Sequence, residues 1–269
     1  MNERRLGSLT AVGIGIRAPA QTTLEARSAI ERAEKVFSLL ADPLSEYWIH
    51  KLNRNTEWLG GLYETGKNRR QTYREMVERI VGAVHEGSRV CAVTYGHPGV
   101  AAYPLHESVR RLRAEGFPAD MIAGISAQDC LVADLGIDPI ETGCLSYEAT
   151  SFLVHRRCAD TTSALILWQI GVIAEPGYKR ERGPWNRHGL AVLTQRLLEA
   201  YPPDHRIVVY EAAQLPLCSP TIDRIALDRL PEARITAMST LFVPPLHKPK
   251  LDHAMAQRLG LHAAAAGTT

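Results

Sequence analysis

Short apolar runs alternate along this chain with longer stretches in which apolar residues return every three or four positions, the pattern of strands interleaved with helices. Residues 9–16 (LTAVGIGI) read as a buried strand ending in glycines, and Thr22 with Glu25 as a capping box opening a helix through Ala26, Ile30 and Ala33. Residues 36–40 read as a second strand, and Asp42-Pro43 as the start of a helix through Tyr47 and Leu52. Tyr73, Met76, Val77, Ile80 and Val84 predict a helix over 69–85, stopped by Gly87. Residues 89–95 (RVCAVTY) form a strand broken by Gly96-His97-Pro98-Gly99, and the following helix carries Leu105, Val109 and Leu112 and ends at Gly116. The cycle restarts after Gly116-Phe117-Pro118 with a strand at 121–123 and a helix over 126–135. Strands at 164–170, 206–213 and 236–243 and a helix at 189–200 then make a second sheet. The pattern predicts an α/β chain of two domains, 1–117 and 118–247, with a short tail from 248 to 269 that frays at its alanines.

With 45 % hydrophobic and 22 % charged residues the 269-residue chain has the composition of a folded globular protein, with length for two domains. A formal charge of +2 gives no electrostatic footprint for nucleic acid. No apolar run approaches the roughly 20 residues of a membrane span, and the charged Met1-Asn2-Glu3-Arg4-Arg5 start has no signal-peptide core behind it, so a cytoplasmic protein is expected. Five cysteines with no CxxC pair read as buried small hydrophobes in a reducing compartment, and ten histidines show no metal-ligand spacing. Residues 177–189 (GYKRERGPWNRHG) read as a mobile loop; its Lys179, Arg180, Arg182 and Arg187 either steer an acidic stretch of a partner or are simply solvated.

Three turns carry candidate chemistry. Gly13-Ile14-Gly15 lacks the third glycine of a dinucleotide fingerprint, since position 18 is Ala, and by itself reads as a tight turn. Tyr95-Gly96-His97-Pro98-Gly99-Val100 ends a buried strand at the edge where open α/β sheets bind ligands, with little side-chain bulk over its backbone. Gly124-Ile125-Ser126-Ala127 opens a helix with Ser126 at its cap. Arg69 and Tyr73, four apart, share one helix face; on spacing alone they read as surface and core.

Taken together these turns resemble the tetrapyrrole (corrin/porphyrin) methylases, over nearly the whole chain from about Leu9 to Pro245. The finer resemblance is to the borosin branch, the omphalotin-methyltransferase-like peptide α-N-methyltransferases. It rests on Tyr63 with Gly66-Lys67-Asn68-Arg69, Thr72-Tyr73, Tyr95-Gly96-His97-Pro98-Gly99-Val100, Ser126-Ala127, Asp129-Cys130-Leu131, Ala133-Asp134-Leu135, Asp138-Pro139, Tyr147-Glu148-Ala149, Trp168-Gln169-Ile170-Gly171 and Ser239-Thr240. Ile16-Arg17 stands where corrin and porphyrin methylases usually carry Pro-Gly, and Ala123-Gly124 where Pro-Gly is usual. Fused borosins carry their substrate peptide on a long C-terminal extension, whereas this sequence stops soon after Pro244-Pro245, which puts the resemblance with the split borosins.

The resemblance implies a two-domain class III methyltransferase fold with S-adenosylmethionine in the interdomain cleft, no metal, and a separate precursor peptide as substrate. It implies a homodimer, or a heterotetramer with the precursor. It assigns catalysis to Arg69, Tyr73, Tyr63 and Tyr95, and cofactor binding to Tyr95, His97, Val100, Ser126, Ala127, Gln169, Ala212, Ser239 and Thr240. The chemistry suits these types: a peptide nitrogen must lose its proton before it can attack, placing charge on its oxygen as an imidate. Arg69 is a fixed cation for that oxygen, Tyr73 beside it a plausible base, and Tyr63 a further donor. Two alternatives stand beside this reading: a methylase of corrin, porphyrin or another small molecule on the same fold, and a peptide-binding partner without turnover.

Overall fold

A computed structural model describes residues 6–40, 42–175, 177, 186–215 and 217–261. The chain divides into two units. One holds the residues up to Asp134 with the described parts of Glu175–Arg182 and Ala212–Pro220; the other holds Leu135–Ala174, the described parts of Gly183–Glu211, and the chain from Thr221.

The first unit runs β1 (Ser8–Gly13), α1 (Leu24–Arg32), β2 (Lys35–Leu39), α2 (Pro43–Leu52), β3 (Thr56–Trp58), α3 (Arg69–His85), β4 (Arg89–Thr94), α4 (Tyr103–Ala114), β5 (Ala119–Ile122) and α5 (Ala127–Leu135), whose last residue passes into the second unit. Its five strands are all parallel in the order β3-β2-β4-β1-β5, with Leu9 beside Val90 and Ala119. Side chains of a strand alternate between faces, so both faces of this sheet need apolar cover. Leu9, Ala11, Val90 and Ala92 pack with Met76, Ile80 and Val84 of α3 and Leu105 and Leu112 of α4. Val12, Cys91 and Val93 pack on the other face with Ala26 and Ile30 of α1 and Ile49 of α2. Chain connections therefore leave the β1–β4 pair in opposite directions on opposite faces, the arrangement that opens a crevice at the carboxyl ends of those two strands.

The second unit runs α6 (Pro139–Thr142), β6 (Cys144–Glu148), α7 (Ala149–Val154), β7 (Ala164–Trp168), α8 (Arg187–Leu198), β8 (Arg206–Glu211), β9 (Thr221–Ala226), β10 (Thr240–Val243) and α9 (His253–Arg258). Its sheet order is β6-β7-β10-β8-β9, parallel between β6 and β7 and antiparallel elsewhere. Leu165, Leu167, Val209 and Leu241 pack on Phe152 and on Leu190, Leu193 and Leu197 of α8.

Several sequence expectations need correction. The boundary at 117 would send β5 to the second domain, but β5 pairs with β1 through Leu9–Val12, and the division falls after Asp134. A Pro after a Gly marks a turn and cannot say which sheet the next strand joins. The cap of α1 is Thr23, whose hydroxyl accepts from Ala26 N at 3.1 Å, while Thr22 donates its hydroxyl to the Ile14 carbonyl at 3.0 Å. Cys91 alone is buried among the cysteines; Cys130 and Cys144 are half-buried, and Cys158 and Cys218 exposed. Arg187–Gly189 belong to α8, not to a loop; Lys179, Arg180 and Arg182 and the terminal alanines lie outside the described residues. No described helix is long and apolar enough to cross a membrane. Among the described residues no group of three or more His, Cys, Asp or Glu could hold a metal ion.

Candidate active site

The turn after β4 is built on backbone-to-backbone packing. Gly15 and Gly96 exchange hydrogen bonds, Gly96 N to Gly15 O at 2.8 Å and Gly15 N to Gly96 O at 3.3 Å. A Cβ on Gly13 would lie 2.0 Å from the Gly96 carbonyl oxygen, and one on Gly124 would lie 2.9 Å from the same atom. The carboxyl ends of β1 and β4 and the turn after β5 thus meet with no side chain between them, which only glycine allows. The Gly99 peptide is held from both sides: its N–H donates to His97 Nδ1 at 2.9 Å and its carbonyl accepts from His106 Nε2 at 2.8 Å. His97 so fixes the turn from within, while Val100 and Tyr95 stand exposed on it. Ser126, buried, and Ala127, half-buried, begin α5; the Ser126 hydroxyl and N–H both donate to Asp129 Oδ2, at 2.7 and 2.6 Å.

This geometry makes Gly13→Ala a sharp test of the turn. Overpacking of this kind costs roughly 1–3 kcal/mol, whereas Gly82→Ala, in the middle of α3 with open space around its Cα, is expected to gain about 0.4–1 kcal/mol. Denaturant unfolding of the two variants, with opposite signs of effect, checks both.

The structure brings Tyr63, Arg69, Tyr73 and Tyr95 together within the first unit. Arg69 opens α3 behind the Asn68 cap, whose side chain accepts from Arg70 N at 2.9 Å, and Tyr73 follows one turn later on the same face. The Tyr63 ring meets the Tyr73 ring edge-on, centroids 6.4 Å apart at 83°. Lys67 secures the segment that carries Tyr63: its ammonium donates to the Leu62 carbonyl at 3.0 Å and to Glu75 of α3 at 2.6 Å. Burial pushes the Tyr63 phenol well above the usual range; the adjacent Tyr73 raises it further by charge and hydrogen bonding, and Arg69 works the other way. Tyr95 is also pushed up, chiefly because protein crowds its phenol end, although the residue keeps 41 % of its surface exposed; Tyr73 adds to the rise and Arg69 opposes it. Through the neutral range Tyr63 and Tyr95 are therefore donors, not bases. Among the described residues Arg69 forms no ion pair, which leaves its charge for a developing anion.

The second unit gathers Gln169, Ser239 and Thr240. Gln169 follows β7 in a left-handed conformation, φ 61° and ψ 34°, and a Cβ on Gly171 would lie 2.1 Å from the Thr236 carbonyl, so the turn after β7 sits directly on the turn before β10. A non-glycine residue in that conformation costs of order 1–3 kcal/mol, and such residues cluster at ligand sites. Ser239 is fully buried: its hydroxyl donates to Glu211 and accepts from Thr236 N at 2.8 Å, so it shapes the turn from inside. Ala212 is half-buried just after β8, in a segment that groups with the first unit.

Sequence reasoning missed Tyr103, Lys67 and Gln21. Gln21 accepts through its side-chain oxygen from Ile16 N and Arg17 N at 2.8 and 2.9 Å, shaping the turn after β1. Tyr103 carried a signal, since it falls off the Leu105, Val109, Leu112 stripe of its helix; its ring lies 6.1 Å from that of Tyr73. Lys67 and Gln21 act through contacts that no period announces.

Comparison with known proteins adds three findings. The profile of the family described as Tetrapyrrole (Corrin/Porphyrin) Methylases matches residues 8–216. A methyltransferase/ribosomally synthesized cyclic peptide gymnopeptides precursor of Gymnopus fusipes is 40 % identical over 97 % of this chain and 63 % of its own length. A methyltransferase/ribosomally synthesized type III borosin cyclic peptide precursor of Anomoporia bombycina is 41 % identical over 96 % of this chain and 30 % of its own. The chain thus spans less than two thirds of the length of these relatives. The crystal structure of uroporphyrin-III-C-methyltransferase from Thermus thermophilus matches with a TM-score of 0.63 at 19 % identity, covering 92 % of this chain and 99 % of that one, a likeness of fold alone.

Proposed function

This chain belongs to the tetrapyrrole (corrin/porphyrin) methylase family, and from that premise we propose that it is an S-adenosylmethionine-dependent methyltransferase of the borosin kind, acting on backbone amide nitrogens of a separately encoded precursor peptide. Relatives whose names join methyltransferase and peptide precursor support a peptide acceptor. The observation that carries the reading is the cluster of Arg69 with Tyr63, Tyr73 and Tyr95. An amide nitrogen becomes nucleophilic only as its charge moves to oxygen, so the site needs donors for that oxygen and a proton acceptor beside the nitrogen. Arg69 and the protonated Tyr63 are the donors, and Tyr73 takes the proton, directly or through one water. Methylation at a tetrapyrrole carbon needs no such group, and the cluster therefore disfavours that alternative.

The residues present suit the family's cofactor. Glycines at 13, 96 and 124 keep the floor of the turn clear of side chains, and backbone carbonyls and the Tyr95 face are surroundings that a sulfonium cation favours. We assign its binding to Tyr95, His97, Val100, Ser126, Ala127 and Ala212, and to Gln169, Ser239 and Thr240; Gln169 has both donor and acceptor for the adenine or the amino-acid end. When bound, S-adenosylmethionine supplies the electrophilic methyl group, leaving S-adenosylhomocysteine. The reading extends to a cytoplasmic homodimer that the precursor joins as a heterotetramer.

Gln169→Gly separates binding from folding. Glycine adopts the left-handed conformation freely, so stability should hold or rise, while affinity for S-adenosylhomocysteine in titration calorimetry should fall roughly 3- to 10-fold with the lost hydrogen bonds. The function itself is tested by incubating the protein with S-adenosylmethionine and a small protein encoded beside it, then locating added methyl groups by tandem mass spectrometry. Methyl groups on backbone nitrogen support the reading; an unmodified peptide, or methylation of a uroporphyrin-type macrocycle instead, overturns it.

A further inference from the structure

We propose that Tyr103 is a positioning residue for this reaction: its ring holds Tyr73 in the orientation that proton transfer requires. The inference rests on the peptide-methylation reading above. Three observations support it. Tyr73 contacts two rings, Tyr63 edge-on at 6.4 Å and Tyr103 tilted by 31° at 6.1 Å, so its phenol has aromatic neighbours from two separate segments. Tyr103 is 52 % exposed and lies off the buried stripe of α4, formed by Leu105, Ser108, Val109 and Leu112, so burial does not explain an aromatic residue there. Finally, the backbone that launches Tyr103 is held in an unusual path: Ala101 takes φ 53°, a left-handed conformation that alanine avoids, and the Gly99 peptide just before it is fixed between His97 and His106.

The geometry explains what such a neighbour would do. Rotation of a phenol about its Cβ–Cγ bond leaves the hydroxyl on the axis, whereas rotation about Cα–Cβ swings it by several times its own radius. A ring held beside Tyr73, as Tyr103 is at 6.1 Å, opposes the second motion while tolerating the first. Tyr103 thereby keeps the Tyr73 hydroxyl near Arg69 and the scissile proton without touching either reacting atom.

The test uses Tyr103→Phe, Tyr103→Leu and Tyr103→Ala with the precursor as methyl acceptor. Loss of alignment predicts a kcat lower by roughly 10- to 100-fold in Tyr103→Ala and Tyr103→Leu, with KM for S-adenosylmethionine and the melting temperature unchanged. Tyr103→Phe, which keeps the ring, should restore kcat. In a Tyr73→Phe background, adding Tyr103→Ala should cost nothing further, because the effect passes through Tyr73. Wild-type kcat in Tyr103→Leu, or an undiminished loss in the Tyr73→Phe background, overturns the proposal. Near-ultraviolet circular dichroism tests the ring contact without any turnover. Tyr103→Ala should lose more of the coupled tyrosine signal than Tyr47→Ala, whose ring packs with Lys51 rather than another tyrosine. If the wild type methylates no peptide while the dichroism still falls, the function reading fails and the ring contact stands; an unchanged dichroism overturns the positioning role.

Discussion

Arg69→Ala is expected to lower kcat by roughly 10²–10³, about 2.7–4 kcal/mol of transition-state stabilisation, while affinities for cofactor and precursor stay near those of the wild type. The size follows from the charge that develops. As the amide proton leaves, negative charge collects on the acceptor's carbonyl oxygen, and a guanidinium with no ion pair among the described residues is a preorganised partner for it. Before the proton leaves, the same oxygen is nearly neutral and Arg69 gains little by contacting it, so ground-state binding is largely spared. Arg69→Lys should recover only part of the rate, because an ammonium keeps the charge and loses the planar donor fork. Single-turnover kinetics with preformed complex measure this directly; an alanine variant that turns over at the wild-type rate would remove Arg69 from the chemistry.

The second large effect belongs to Tyr73→Phe. Burial and neighbouring tyrosines hold Tyr63 and Tyr95 protonated, and the proposed mechanism gives the proton to Tyr73, one helical turn from Arg69 on the same face. The substitution keeps the ring contacts with Tyr63 and Tyr103, and folding should survive, whereas turnover should fall by about 10²–10⁴, the usual contribution of a positioned base. The pH dependence has a definite sign. The residual rate of Tyr73→Phe should climb with pH, because hydroxide replaces the missing group. Tyr63 and Tyr95, raised above the ordinary tyrosine value of about 10, should cause no decline below that pH. The double variant Arg69→Ala with Tyr73→Phe should be little worse than the weaker single one, since both act on one proton transfer and one developing charge. Wild-type turnover by Tyr73→Phe, with methyl groups still on backbone nitrogen, would falsify this mechanism and return Tyr73 to a packing role.

What the sequence by itself determined rests on local rules. The 3.6-residue recurrence of Met76, Ile80 and Val84 predicted α3 at its observed bounds, since one helix face must be buried whatever surrounds it. The glycines and proline after β4 marked a turn with no side-chain bulk, and the four-residue spacing of Arg69 and Tyr73 placed both on one face. Tertiary structure alone decided which strands share a sheet. β5 continues the first sheet because Leu9–Val12 accept it on their open side, and nothing in residues 119–122 states that preference. It likewise set the environment of Tyr63 and Tyr95, phenols that burial and neighbours from distant elements push above their ordinary range. The contact of Tyr103 with Tyr73 crosses thirty positions of chain and comes from the packing of α4 beside α3 on one face of the sheet. Period and spacing are properties of a segment, whereas electrostatic environment and alignment arise only where segments meet: spacing put Arg69 and Tyr73 on one helix face, and only packing set Tyr63, Tyr95 and Tyr103 around them.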